Sequence, residues 1–245
     1  MPTYQTILYD ISENVCKITL NRPDAYNAFN EQMKKELNEA LKEIEKDVNV
    51  RCVVIRGSGE KAFCSGQDLK EHSGAKRSLK DSLEKNYNPM IRKIRSIEKP
   101  IIAMINGVAA GAGCSLALAC DMRFISDKAR MNLVFINIGL VPDSGAHWFL
   151  PRLVGMAKAF EFAATMKRDI SAEEAERVGL VNKVFPAEKL EEETMLIAKQ
   201  LAQSPTKTIG LIKRTLNKSI TSSLDDLLDY EAIIQQTASE TYDHK

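Results

Sequence analysis

From the N-terminus, apolar positions first run as short strand-like stretches and then recur at helical spacing. Residues 6–11 and 14–20 read as two short strands separated by Ser12-Glu13, an early hairpin. After Asn30, the stretch EQMKKELNEALKEIEKD places Met33, Leu37, Leu41 and Ile44 on one face and Lys and Glu on the other. With Asn30 as cap, this predicts an amphipathic helix. Cys52-Val53-Val54-Ile55 is a continuous apolar run ended by Gly57 and Gly59, as suits an inner strand of a parallel sheet covered on both faces. Strand, helix and strand in that order make a βαβ unit.

The unit recurs. Leu83, Tyr87, Met90, Ile91, Ile94 and Ile97 mark a second helix, with Pro89 at a kink or start. Pro100 opens the buried run Ile101–Ile105, which Asn106-Gly107 ends. Residues 109–119 are small and apolar and read as a helix, followed by a strand over 122–125. Beyond about residue 145 the stretches AKAFEFAATM, SAEEAERVG, AEKLEEETMLIAKQLAQ and 205–217 all read as helices. No Pro/Gly/Ser-rich linker divides the chain. The expected class is α/β, with an N-terminal α/β part over 1–190 joined to a helical C-terminal region over 191–245, as one continuous domain.

Composition narrows the function. A chain of 245 residues buries enough surface to fold without disulfide or metal. Thirty-four Lys+Arg against thirty-three Asp+Glu leave a net charge of +1, so no global field attracts nucleic acid or an anionic membrane. The five cysteines (Cys16, Cys52, Cys64, Cys114, Cys120) are scattered and contain no CxxC pair, and His72, His147 and His244 form no metal-ligand spacing. The stretch MPTYQTILYDISEN has neither the basic nor the apolar region of a signal peptide, and no run reaches 18 apolar residues. The expectation is a reduced, cytoplasmic protein with no membrane or nucleic-acid partner and no metal.

Three segments carry candidate chemistry, each where a predicted strand gives way to a helix: AFCSGQDL at 62–69, NGVAAGAGC at 106–114 and GLVPDSG at 139–145. Glycine after a strand permits a sharp turn and lets bare N–H groups face a ligand, and a helix N-terminus adds unpaired donors. Two such turns brought together hold an anionic oxygen between them. Taken singly, each is ordinary: a glycine-rich turn for tight packing, Pro-Asp-Ser-Gly for turn chemistry around Asp143. Gly111-Ala112-Gly113 lacks the full dinucleotide spacing, and no GxxxxGK[ST] occurs.

Taken together, these segments change the picture. In order, LNRPDAYNAF, AFCSGQDL, KPIIAMINGVAAGAGCSLALACD, GLVPDSG, SAEEAERVGLVNKVFP and SPTKTIGLIKRTLN resemble the crotonase superfamily, the enoyl-CoA hydratase/isomerase group, from about residue 5 to 240. The resemblance implies a crotonase-like ββα spiral core with a C-terminal helical trimerisation region, assembled as a homotrimer or dimer of trimers. It implies an acyl group carried as a coenzyme A thioester and no separate cofactor. The backbone N–H groups of Gln67 and Ala112 would form an oxyanion hole for the enolate oxygen. Arg22, Ala25, Ser65, Gly66, Asp68, Leu69 and Gly111 would border the coenzyme, and Lys70 could reach a phosphate. Asp68 is also a natural cap for the helix that follows it.

Hydratases of the superfamily carry two glutamates; matching the motifs puts Ser115 and Phe135 at those positions, and neither is a carboxylate base. Asp143 falls where double-bond isomerases of the superfamily place their acid. The resemblance therefore implies an isomerase that moves a double bond with one Asp acid/base. GLVPDSG, NGVAAGAG and LPRLVG are most like the 1,2-epoxyphenylacetyl-CoA ring isomerases of phenylacetate breakdown. A hydratase or lyase, and a non-catalytic acyl-CoA binder, are the alternatives. Phe135, Trp148 and Phe149 suggest an apolar setting that raises the Asp143 pKa. The usual Gly-Gly after Asp-Ser is here Gly145-Ala146, followed by His147 in place of threonine. Where the chain ends at Tyr242-Asp243-His244-Lys245, family members continue with another helix that supplies a basic residue for coenzyme A, so weaker grip on the nucleotide end is expected.

Overall fold

A step of strand, short strand and helix repeats along the chain in the computed structural model, which describes residues 3–72 and 78–244. The larger sheet receives β1 (Ile7–Ser12), β2 (Val15–Leu20), β3 (Cys52–Gly57), β5 (Ile101–Ile105), β7 (Met122–Ser126) and β10 (Lys183–Phe185), side by side in that order. The smaller sheet takes β4 (Ala62–Cys64), β6 (Val108–Ala110), β8 (Arg130–Asn132) and β9 (Ile170–Ser171). Only the first pairing of the larger sheet and the last of the smaller are antiparallel. Between strands lie α1 (Glu31–Lys46), α2 (Leu69–His72), α3 (Leu79–Ser82), α4 (Asn88–Ser96), α5 (Ala112–Ala119), α6 (Ala146–Ala164) and α7 (Ala172–Arg177). Helices α8 (Leu190–Gln203), α9 (Thr206–Ser219) and α10 (Leu224–Ser239) close the chain. This is the crotonase-type ββα spiral with its C-terminal helices.

The hairpin, the helix capped by Asn30 (its side chain accepts from the Met33 N–H) and the strands at 52, 101 and 122 form as the sequence predicts. The continuous apolar runs have a direct cause. In β3, Val53 and Ile55 join the core beneath α1 and α4, while Cys52 and Val54 turn to the opposite face. There, Ala198 and Ala202 of α8 cover them with Ile102, Met104 and Phe124. Both faces are dry, so no polar alternation appears.

Four expectations change. Residues 109–110 continue a strand, and the helix starts only at Ala112, because Gly111 takes φ 53° and breaks the extended run. Lys34 and Glu36, assigned by periodicity to the wet face of α1, are buried. Glu36 accepts from the main-chain N–H groups of Gln5 and Thr6 and from the Thr6 hydroxyl, which compensates for its lost hydration. The second helix is two pieces: Leu83–Tyr87 is a π turn immediately before α4, where Pro89 supplies no N–H. Strands β9 and β10, two and three residues long, lie between segments read only as helical.

Helix α9 is held to the core through Lys213, whose Nζ donates to Asp121 Oδ2 at 2.7 Å and Ile94 O at 2.8 Å. Among the described residues no helix is long and apolar enough to cross a membrane.

Candidate active site

Strands β4 and β6 are neighbours in the smaller sheet, with Cys64 opposite Ala109, so the turns that leave them lie side by side. Gly66 takes φ 94°, and a Cβ there would sit 2.9 Å from Ala110 O and 3.3 Å from Ala112 N. The first glycine turn therefore lies on the second. At the next turn of contact, a Cβ on Gly113 would come within 2.2 Å of Cys64 O, which explains the small residue that lets α5 approach β4.

Each turn leaves one donor over. Phe29 forms a parallel bridge with Gln67 in which Phe29 N donates to Gly66 O and Asp68 N donates to Phe29 O. In such a bridge the N–H of Gln67 itself faces away from Phe29. In the second turn, Gly111 N donates to Asn132 O, and the first helical bond runs from Ser115 N to Gly111 O. Ala112 opens α5, so its N–H has no partner within the helix. Among the described residues neither N–H is taken by a backbone carbonyl. Two adjacent donors, one at a helix N-terminus, suit an oxygen that gains negative charge.

Asp143 is joined to α5, the helix that the second turn opens, through Ser115. Ser115, fully buried, places its hydroxyl 3.0 Å from Asp143 O and 3.4 Å from Gly111 O, so its single hydrogen goes to the aspartate carbonyl. One side chain thus ties the acid's main chain to the helix that presents Ala112. Ala146 N also donates to Asp143 O, and the turn continues through left-handed Ser144 (φ 51°) and Gly145 (φ 84°). The carboxyl is half-buried, and Ser144 Oγ donates to its Oδ1 at 2.9 Å. Burial pushes its pKa above the usual aspartate value, against the Ser144 hydrogen bond and the charge of nearby His147, which both pull it down. His147 is exposed.

The apolar wall differs in part from the sequence expectation. Val134 and Phe135 face Gly111, and Phe149 lies against Gly145 with Ile91 of α4 beside it. Trp148 points elsewhere. It meets Phe149 edge-on at 4.8 Å, carries Arg152 over its ring and, with Phe149, Arg95 and Asn217, lines a cavity of about 180 Å³. Phe149 borders the same cavity and also reaches Gly145, so it spans the two places, whereas Trp148 is seen only at the cavity.

Around the first turn, Arg22 donates to Asp68 Oδ2 at 2.8 Å and to Ala28 O at 2.7 Å, while Ser65 N donates to Tyr26 O. Arg22 thereby links the segment that contains Ala25 to Asp68, two residues after Gly66, and Leu69 is exposed. Asp68 Oδ1 accepts from Lys70 N, which fits the capping role read from sequence. Lys70 itself is exposed. His72 falls at the edge of the described residues. Cys64 and Cys114 flank the turns but are buried, and desolvation pushes both thiols up to about 12, so neither is a nucleophile. Among the described residues no group of His, Cys, Asp and Glu is placed to hold a metal.

Two contributions escaped sequence reasoning. Ser115 was read only as the absence of a base, and its strut to Asp143 spans 28 residues that no local pattern connects. Lys34 and Tyr87 were read as helix positions, yet both reach the side chain of Gln67.

Comparison with known proteins extends this geometry. A profile of the enoyl-CoA hydratase/isomerase family matches residues 10–245. The chain is 38% identical over 243 residues to the 1,2-epoxyphenylacetyl-CoA isomerase of Escherichia coli K12, covering 98% of this chain and 92% of that one. It is also 38% identical over 243 residues to a probable enoyl-CoA hydratase of Rhodobacter capsulatus, covering 99% and 93%. The crystal structure of an enoyl-CoA hydratase from Bacillus anthracis superposes with a TM-score of 0.94 at 34% identity, covering 98% of this chain and 93% of that one.

Proposed function

The chain belongs to the enoyl-CoA hydratase/isomerase family, and from that premise we propose that it is an acyl-CoA isomerase with Asp143 as its single acid/base. The observation that carries this reading is the placement of Asp143, a half-buried carboxyl with a raised pKa, tied through Ser115 to the helix that opens at Ala112. The N–H groups of Gln67 and Ala112 hold the thioester oxygen. Asp143 takes the proton from C2 of a 3-enoyl thioester, and the electron pair moves onto that oxygen. The same carboxyl then returns its proton to C4 as the enolate collapses to the 2-enoyl product. Atoms and charge balance with no water consumed. An aryl ring epoxide next to the thioester, as in the substrate named for the E. coli relative, is the acyl group the motifs favour. Arg22, Ala25, Ser65, Gly66, Asp68, Leu69 and Gly111 border the coenzyme A carrier, and the chemistry calls for no further cofactor.

A hydratase is the second reading, because relatives such as that of Clostridium acetobutylicum carry that name. Against it, the two positions where the superfamily's hydratases hold glutamate are Ser115 and Phe135. Phe135 offers no proton-transfer group, and the hydroxyl of Ser115 is committed to Asp143 O. Activity should appear as conversion of 3-enoyl-CoA to the conjugated 2-enoyl thioester, followed by ultraviolet absorbance. The acid must be ionised to accept a proton, so the rate falls as pH drops through an ionisation above the ordinary aspartate value of about 3.9. Hydration of 2-enoyl-CoA without isomerisation, or an ionisation at the free-aspartate value, contradicts the proposal.

Assembly is part of the same reading. Ile212, Leu216, Leu228 and Ile233 on α9 and α10 are all more than half exposed. Such a patch calls for a cover, and we assign it to copies of this chain in a trimer or dimer of trimers within the cytoplasm. Sedimentation velocity at micromolar concentration should show the oligomer; a monomer rejects it.

A further inference from the structure

Lys34 lies in the first turn of α1 with 0% of its surface exposed. A buried ammonium surrenders its hydration, and apolar Met33 and Leu37 show how readily this helix accepts hydrophobic side chains in the core. Its position therefore needs a reason beyond packing. Lys34 Nζ is 2.5 Å from Glu31 Oε1, 3.4 Å from Gln67 Oε1 and 3.5 Å from Ser82 Oγ. It also stands 5.1 Å from the centre of the Tyr87 ring. The Tyr87 hydroxyl donates to the same Gln67 Oε1 at 2.6 Å, and Gln67 Nε2 donates to Phe29 O at 3.1 Å. Both ends of this one amide are thus gripped, from α1, from the π turn before α4 and from the chain at Phe29.

What the grip controls is the peptide between Gly66 and Gln67. Glycine at φ 94° has no Cβ to restrict that peptide's rotation, and the peptide's carbonyl is held by one bond, from Phe29 N. Fixing the Gln67 side chain fixes its Cα and with it the direction of the N–H. We propose that Lys34, with Tyr87 and through the Gln67 amide, is a positioning residue that aims the Gln67 N–H at the thioester oxygen. This rests on the reading that the Gln67 N–H holds that oxygen.

The test is Lys34→Met, which keeps the length of the side chain and removes the ammonium. The readout is the carbonyl stretching frequency of a bound acyl-CoA thioester, which an oxyanion donor lowers, measured by Raman difference spectroscopy. The variant should lose part of that lowering, with kcat/KM down about tenfold. Affinity for a thioether analogue, which has no carbonyl, should be unchanged. Placed in a Gln67→Ala background, Lys34→Met should have no further effect, because the amide through which it acts is gone. If the variant fails to fold, Tyr87→Phe removes only the hydroxyl on Gln67 Oε1 and carries the same expectation. A wild-type carbonyl frequency and rate in Lys34→Met or Tyr87→Phe overturns the proposal, as does an equal loss in both Gln67 backgrounds. If the wild-type enzyme itself does not lower the frequency, the oxyanion reading fails and Lys34 loses its role with it.

Discussion

Asp143→Asn is expected to lower kcat by about 10²–10⁴-fold, the range for removing a positioned acid/base, while acyl-CoA still binds. Asparagine keeps the size and can accept the Ser144 hydrogen bond, but it cannot carry a proton from C2 to C4. The main-chain link from Ser115 to residue 143 is untouched, so the fold is preserved. The substitution has a second signature in stability. Because burial raises the Asp143 pKa, the folded protein holds this proton more tightly than the unfolded chain. The stability this contributes is fully present below the unfolded pKa and is lost as pH rises through the folded one. The asparagine variant has no such loss, so its melting temperature should gain on the wild type as pH rises through that window. Melting curves across pH, alongside initial rates, measure both effects. Unchanged turnover removes Asp143 from the mechanism; a variant whose melting temperature falls relative to the wild type as pH rises contradicts the burial argument.

Gly66→Ala is expected to cost about 10²–10³-fold in kcat, the scale for losing one oxyanion donor. Alanine at φ 94° is strained, and its methyl would lie 2.9 Å from Ala110 O, a backbone atom that cannot swing aside. Relief requires the two glycine turns to separate, which moves the Gln67 N–H away from the Ala112 N–H. The strain should also lower stability by about 1–3 kcal/mol, read from chemical denaturation. Coenzyme A lacking an acyl group should bind the variant nearly as well as the wild type, because it brings no carbonyl to the hole. A Gly66→Ala enzyme within a few-fold of wild type shows that the contact between the turns is not what makes the donors converge.

Much of this site was legible along the chain because its parts are local. The glycines at 66 and 111 sit where strands end, and the acid lies in a Pro-Asp-Ser-Gly turn; short-range sterics write both into the sequence. Side-chain directions were less legible. Hydrophobicity alone sets Trp148 beside Asp143, but in the fold it borders a cavity near Arg95 and Asn217, and only its neighbour Phe149 also reaches Gly145 at the turn. Lys34 and Glu36 were assigned to solvent by charge, a rule that fails where partners remote in sequence replace water. For Glu36 these lie about 30 residues earlier, and for Lys34 one lies 33 residues later. The very short strands β9 and β10 carry too few residues for any period to register.

Periodicity and turn chemistry, acting over a few neighbouring residues, determined most of the strands and helices and the two bare-amide turns, while the resemblance to a family singled out Asp143 as a carboxyl without glutamate companions. Tertiary structure alone decided that β4 and β6 pair and press their turns together, that a serine hydroxyl yokes Asp143 to α5, and that a lysine is enclosed behind Gln67. The division is physical. Torsional preference and hydrophobic spacing are properties of adjacent residues, whereas a hydrogen bond across 28 or 33 positions exists only after the sheet has brought its ends within 3–4 Å.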